Sequence, residues 1–231
     1  MRYPKVVPAS FLRRPNRFVA HVEAGGRELV VHVKNTGRCG ELLLPGARVY
    51  LAESSNPARK TGYDLVAVEK RRPGMEPLLV NIDSQAPNDV AGEWLPASGL
   101  FSSHAVIRRE TTWRNSRFDF YIEDGSRKAF MEVKGVTQEM DGKAFFPDAP
   151  TERGAKHVQE LAECMAEGFE AFLLFVVQMK GPSTMRPNDV THPAFGQALR
   201  KSAAAGVRLL AMDCLVTPDS LTIDKPVDII L

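Results

Sequence analysis

The chain has 231 residues, 44% of them hydrophobic, and its 30 Lys and Arg nearly balance 28 Asp and Glu for a net charge of +2. That length allows one large or two modest domains with a sizeable core. No apolar run is long enough to span a membrane, the N-terminus lacks the continuous apolar stretch that secretion needs, and Cys39, Cys164 and Cys214 have no paired or metal-binding spacing. A cytoplasmic chain without membrane partners and without structural zinc is therefore expected.

The charge is unevenly spread. Residues 1–72 carry 14 Lys and Arg against 6 Asp and Glu, a net +8, leaving −6 for the rest. A basic module can release counterions from a phosphate backbone, whereas an acidic one needs a bound cation before it can approach nucleic acid. Arg13, Arg14, Arg17, Arg38, Arg59 and Lys60 are the candidate backbone contacts; ordinary solvated surface charges are the competing reading.

In chain order, residues 17–23, a Gly25-Gly26 turn and residues 28–33 read as a hairpin, followed by strands at 48–52, 63–69 and 78–82. Five short strands suit an OB-like barrel, which binds oligonucleotides through a strand face and its loops. The candidate stacking aromatics are Phe11, Phe18, Tyr50 and Tyr63, and Phe18 and Tyr50 are expected in the core. Sequence-independent backbone contact is thus expected rather than base stacking.

A boundary falls at residues 83–88, giving an expected division into 1–83 and 84–231. A short helical connection at 89–101 leads to a strand at 105–113 that carries Glu110, with Arg108 and Arg109 placed to pair with it or to touch phosphate.

Next come Ser116-Arg117-Phe118-Asp119-Phe120-Tyr121-Ile122 and Met131-Glu132-Val133-Lys134-Gly135, joined by a Gly-containing turn that makes the two strands antiparallel neighbours. Alternation puts Asp119 on one face with Arg117 and Tyr121, opposite Phe118, Phe120 and Ile122; Glu132 and Lys134 share a face about 6–7 Å apart. Asp119 then lies opposite Glu132. Two carboxylates suit a hard cation such as Mg²⁺ or Mn²⁺, which takes oxygen ligands and keeps waters, and a neighbouring lysine can orient water or stabilise charge on phosphorus. The same string would also arise in an edge hairpin with solvated charges.

Val158, Leu161, Ala162 and Met165 have the spacing of a one-sided helix ended by Gly168, with Glu152, Lys156 and Gln159 turned outward and His157 given no role. Residues 171–178 form an apolar run suited to a strand buried on both faces. A helix at 193–205, a strand at 207–216 and an edge strand at 221–231 complete a mixed sheet.

The order Arg-Phe-Asp-Phe, Glu-Val-Lys-Gly-Val-Thr and Phe-Pro-Asp-Ala-Pro-Thr-Glu-Arg-Gly-Ala-Lys-His resembles the sugar fermentation stimulation protein A (SfsA) family. So do residues 14–18, 35–38, 41–47 and 56–61, so that essentially the whole chain is covered. Cys39-Gly40 and Gln138 depart from the family pattern without touching the proposed site. The resemblance implies an α/β chain of the two-domain α+β kind, an OB-like barrel followed by a PD-(D/E)xK restriction-endonuclease-like mixed sheet. It implies DNA as partner, Asp119 and Glu132 as metal ligands, Lys134 as the catalytic lysine, and Glu110 and Gln178 as supporting polar groups. The expected function is DNA binding with Mg²⁺-dependent phosphodiester cleavage; the alternative is a non-catalytic DNA-binding regulator of sugar (maltose) utilisation genes. An RNA ligand and the oligomeric state, a homodimer included, are left open.

Overall fold

The structure, a computed structural model, describes all residues except Ser55 and Pro57. Pro57, part of the motif at 56–61, thus lies outside the described residues.

The first sheet comprises β1 (Val6–Asn16), β2 (Val19–Ala24), β3 (Arg27–Val33), β4 (Arg48–Glu53), β5 (Tyr63–Arg72) and β6 (Met75–Asn81). The order β3-β2-β1-β4-β5 closes into a barrel because β5 returns to β3 through the parallel pairs His32↔Asp64 and Val33↔Leu65. Closure removes the open edges that five short strands would otherwise expose. Phe11, Val22, Val31, Val49, Leu51 and Leu65 fill the interior.

β1 is a strand beyond the five expected. Pro8, Pro15 and the Arg13-Arg14 pair hide its periodicity. It pairs with β4 over residues 6–10 and with β2 from Ser10 onward, and its register slips between Phe11 and Arg13 and again before Asn16. A strand tolerates proline at such slips, where no ladder donor is required. Arg17 and Phe18 consequently occupy the turn between β1 and β2, and Phe18 is 50% exposed instead of core. Tyr50 is likewise only half-buried, its hydroxyl donating to Glu69.

The second half contains α1 (Ala86–Trp94), β7 (Val106–Trp113), β8 (Ser116–Asp124), β9 (Arg127–Val136), β10 (Gln138–Met140), β11 (Lys143–Phe146) and α2 (Glu152–Met165). It continues with β12 (Glu170–Val177), β13 (Thr184–Pro187), α3 (Pro193–Ala204), β14 (Arg208–Thr217), β15 (Ser220–Pro226) and β16 (Asp228–Ile229). Its main sheet has the order β15-β14-β12-β9-β8-β7, with β12 parallel to both β9 and β14 and the outer strands antiparallel. β12 is buried from Ala171 to Val177 because helices cover both faces. α1 packs on one face against Phe120, Met131 and Phe172; α2 packs on the other with Phe118, Phe130 and Leu173. Thr151 caps α2 by accepting from the Gly154 amide at 3.0 Å.

A small sheet, β10-β11-β13-β16, was not expected from the sequence. Its strands of two to four residues are too short to show a period. It is tied to the barrel by Lys70 on β5, whose ammonium lies 2.6 Å from the Glu139 carboxylate on β10. Both side chains are largely buried, at 15% and 4% exposed. Burial pulls the Glu139 carboxyl upward, but the Lys70 and Gly142 hydrogen bonds outweigh it and hold the group below its ordinary value. A carboxylate depressed in the folded state stabilises above its unfolded value and loses that contribution as pH falls through the folded one. Glu139→Gln should therefore cost about 3 kcal/mol near neutrality, and the gap to the parent should close in acid, as urea unfolding at several pH values would show. A gap independent of pH would contradict it.

No helix is long and apolar enough to cross a membrane among the described residues.

Candidate active site

The β8–β9 hairpin sets the site. Pairing runs from Asp124↔Arg127 to Phe120↔Met131 and stops there. On the other side of β8, Glu110 drops out of the β7 ladder between Arg109↔Phe120 and Thr111↔Phe118, with a φ of 52°. Interruptions of this kind re-aim side chains. Phe118 turns to the α2 face, where it packs on Trp113, Phe130 and His157, whereas Phe120 and Ile122 point to the α1 face. The single apolar face expected for all three is thus split by the irregular ladder.

Asp119 sits at the break. Its Oδ2 accepts from the Val133 amide at 2.7 Å and its Oδ1 from Asn88 Nδ2 at 2.7 Å, so both oxygens have fixed directions. Glu132, 3% exposed, accepts at Oε1 from Lys134 Nζ at 2.5 Å and from His157 Nδ1 at 2.6 Å. Arg153 Nε lies 3.4 Å from His157 Nε2, on the side of the ring away from Glu132. Two donors share one carboxylate oxygen. The other, Oε2, is buried without a partner.

These arrangements shift the two acids in opposite directions. Burial, followed by the negative charge of Glu132, raises the Asp119 carboxyl against the pull of the Val133 amide, Lys134 and Asn88. Burial also acts upward on Glu132, but His157 and Lys134 outweigh it and hold the group below its ordinary value. Two carboxylates with a raised and a lowered proton affinity meet in a cavity of about 220 Å³ also lined by Asn88, Glu110, Arg117, Lys134, Arg153 and His157.

The donor set fits a hard divalent ion. Carboxylate oxygens are the ligands such ions take, and the orphaned Glu132 Oε2 is the kind of buried atom a cation would satisfy. Among the described residues no group of three or more His, Cys, Asp and Glu side chains is placed to hold a metal ion, so a cation here would find only the two carboxylates.

Asp119, Glu132 and Lys134 are brought together, and Glu110 borders their cavity. The Glu110 side chain, however, is 63% exposed and pairs at 3.5 Å with Arg117. Arg108 and Arg109 do not pair with it; they engage Glu123 and Asp89. Gln178 lies just behind the site instead of in it. Its Nε2 donates to Asn81 Oδ1 at 2.9 Å and to the Asp83 carbonyl at 3.0 Å, so this side chain joins the end of β12 to the end of β6. Gly135, next to Lys134, has to lack a side chain: a Cβ there would come within 2.4 Å of Gln178 Oε1 and 2.7 Å of Pro87 Cγ. Gln178→Ala should cost about 2 kcal/mol by removing two buried hydrogen bonds, to Asn81 Oδ1 and to the Asp83 carbonyl, measurable by thermal unfolding. A variant as stable as the parent would contradict that assignment.

His157 is the residue whose role the sequence reading missed. One helical turn separates it from Arg153, and both face the hairpin. Its imidazole is only 7% exposed. The available signal was its place on the buried side of α2, beside Val158 and Leu161.

The six basic candidates divide by how their cations are used. Arg14 donates to the carbonyls of Arg17, Asn35, Gly37 and Arg38, which fixes the loop before β4. Arg59 is bidentate to Asp64, and Arg13 pairs with Glu28 and His21. Arg17, Arg38 and Lys60 are exposed, with Arg17 over the Phe18 ring at 5.7 Å. The loop that Arg14 fixes reaches the site: the Ser84 amide donates to the Lys34 carbonyl, and Ser84 lines the cavity.

Comparison with known proteins agrees with this architecture. Residues 12–79 match the SfsA N-terminal OB domain, and residues 85–220 match the sugar fermentation stimulation protein RE domain. A sugar fermentation stimulation protein homolog of Desulfitobacterium hafniense is 52% identical over 221 residues, covering 96% of this chain and 94% of that protein. One from Clostridium beijerinckii is 47% identical over 231 residues and the full length of both. The structure of Pyrococcus furiosus SfsA in complex with Ca²⁺ superposes with a TM-score of 0.85 at 26% identity, covering 100% of this chain and 98% of that one. With both halves matched in order and nearly half of its residues shared with full-length relatives, the chain belongs to the sugar fermentation stimulation protein A (SfsA) family.

Proposed function

We propose that this is a DNA-binding protein whose Asp119–Glu132–Lys134 site hydrolyses phosphodiester bonds with Mg²⁺ or Mn²⁺. The observation that carries the reading is the buried, unpartnered Glu132 Oε2 beside Asp119 and Lys134 in a polar cavity. Ca²⁺, named with the Pyrococcus furiosus relative, is another hard, oxygen-seeking cation.

Asp119 and Glu132 would hold the cation, which when bound supplies Lewis-acid polarisation of phosphate and of the attacking water. Hydrolysis forms one P–O bond from water, breaks one P–O ester bond and passes a proton to the leaving oxygen. Asn88 and the Val133 amide fix the Asp119 carboxylate, while His157 and Lys134 fix Glu132. Lys134 Nζ spends one donor on Glu132 and keeps two for a phosphoryl oxygen or for orienting water. The exposed Arg17, Arg38 and Lys60 on the barrel side would contact the DNA backbone without reading bases. The setting we infer is the cytoplasm, in keeping with three free, buried cysteines.

The exposure of Glu110 favours a second reading, a regulator that binds DNA without turnover and uses the two acids as a cation-assisted phosphate clamp. Incubating the protein with end-labelled single- and double-stranded DNA in Mg²⁺, Mn²⁺ or chelator separates the two. Metal-dependent cleavage that Asp119→Asn abolishes is the expected result. Binding with intact substrate across metals and pH would transfer the conclusion to the regulator.

A further inference from the structure

Beyond the Asp119–Glu132 cavity, the wall formed by β8 and α2 opens into a second cleft of about 630 Å³. The two cavities share Arg117, Arg153 and His157. Arg117 lies two residues before Asp119 on β8, and Arg153 and Lys156 are neighbours three apart on α2, so cations stand on both walls.

Little in the protein neutralises them. Arg117 and Glu110 are 3.5 Å apart at 58% and 63% exposure, a contact that solvent weakens. Lys156 is 57% exposed and 3.5 Å from Glu160, whose carboxylate also accepts from Ser116. Glu152 also borders the cleft as an 89% exposed carboxylate, hydrogen-bonded to His192 at 3.1 Å, and among the described residues is the one negative charge at its rim that turns to solvent. Arg153 forms no ion pair among the described residues; its Nε reaches His157, leaving the terminal nitrogens for a ligand. A cleft walled by cations on a strand and a helix, and continuous with the cavity of the paired carboxylates, suits a chain of phosphates better than a single anion.

We propose that Arg117, Arg153 and Lys156 form a phosphate subsite for the nucleic-acid backbone flanking the phosphate held at Asp119 and Glu132. The subsite rests on the nucleic-acid reading of that centre, though not on turnover. Its ligand is a backbone phosphodiester or a terminal phosphate monoester, which share the same recognising chemistry.

The test is fluorescence-anisotropy binding of a short labelled oligonucleotide in chelator, over a salt series, for the parent, Lys156→Ala, Arg153→Ala and the double variant. Each substitution should lower the slope of log Kd against log salt by about one. Oligonucleotides with and without an end phosphate identify the source: a variant effect confined to phosphorylated ends assigns a monoester, and one seen on both assigns the internal backbone. The Lys156 ammonium lies by Glu160 and makes no hydrogen bond to His157 among the described residues, so Lys156→Ala excludes an effect relayed through a bond to that ring and decides the matter if Arg153→Ala unfolds. Unchanged slopes in folded variants would overturn the subsite while leaving metal-dependent cleavage by the parent intact. Altered slopes without cleavage would keep the subsite and remove the nuclease reading. Failure of the parent to bind any oligonucleotide would overturn both.

Discussion

Lys134→Ala is expected to lower metal-dependent cleavage by at least about a hundredfold while changing DNA affinity by less than about threefold, since one preorganised donor at the reacting phosphate is worth that much in rate. The ammonium is 15% exposed and points at Glu132 Oε1, so it contributes to the site and little to a surface that DNA could grip. This variant also removes one of the two donors on the buried Glu132 carboxylate, so its Mn²⁺ affinity is measured beside its rate. Asp119 accepts from two donors, Asn88 and the Val133 amide, and an asparagine can present only one oxygen. Asp119→Asn keeps the Val133 bond but retains the Asn88 contact only if that amide flips to accept, so the variant can disturb the site along with its charge. Single-turnover cleavage beside binding in chelator checks the Lys134 prediction. A variant that cleaves at the parental rate would remove the lysine from the mechanism.

His157→Ala is expected to weaken Mn²⁺ binding about 10- to 100-fold, the usual cost of losing a group that orients a ligand. The physical cause is geometric. With the imidazole present, Oε1 is engaged by Lys134 and His157 and Oε2 is left unpartnered; without it, the carboxylate can rotate and the buried charge loses a donor. His157→Asn restores an N–H near the Nδ1 position and should recover most of the affinity, which a merely space-filling role would not predict. Electron paramagnetic resonance titration of Mn²⁺ reads this without any turnover. Equal affinities for the alanine, asparagine and parent proteins would show that the ring does not position Glu132.

The sequence made Asp119, Glu132 and Lys134 legible because strand alternation and a short turn fix their relation within about twenty residues. It made β12 legible for a similar reason, as an unbroken apolar run needs helices on both faces. What it hid depends on distant partners. His157 owes its role to the hairpin onto which α2 folds; its place on the buried side of α2 marks the burial but not the partner. Gln178 looks like an active-site amide by order in the chain, yet Asn81 and Asp83, nearly a hundred residues earlier, take its donors. Phe18 reads as an inward strand residue only until β1 is extended to Asn16, which puts it in a turn. The split between Phe118 and Phe120 coincides with the missing pair between Glu110 and Asp119 and with the positive φ at Glu110, backbone features that no side-chain pattern encodes.

The seam behind the site has a mechanical consequence. Asn81 donates its amide to the Gln178 carbonyl, Val80 bridges to Met179, and the buried Tyr3 hydroxyl lies 3.1 Å from Asp83. These contacts join the barrel to the strand end that backs Lys134-Gly135. A strand gripped at the barrel and threaded into the cleft would meet the carboxylates at one fixed offset, as on a ruler. Fragment lengths measured from an anchored end should then share a constant remainder, set by the protein's dimensions and indifferent to base sequence.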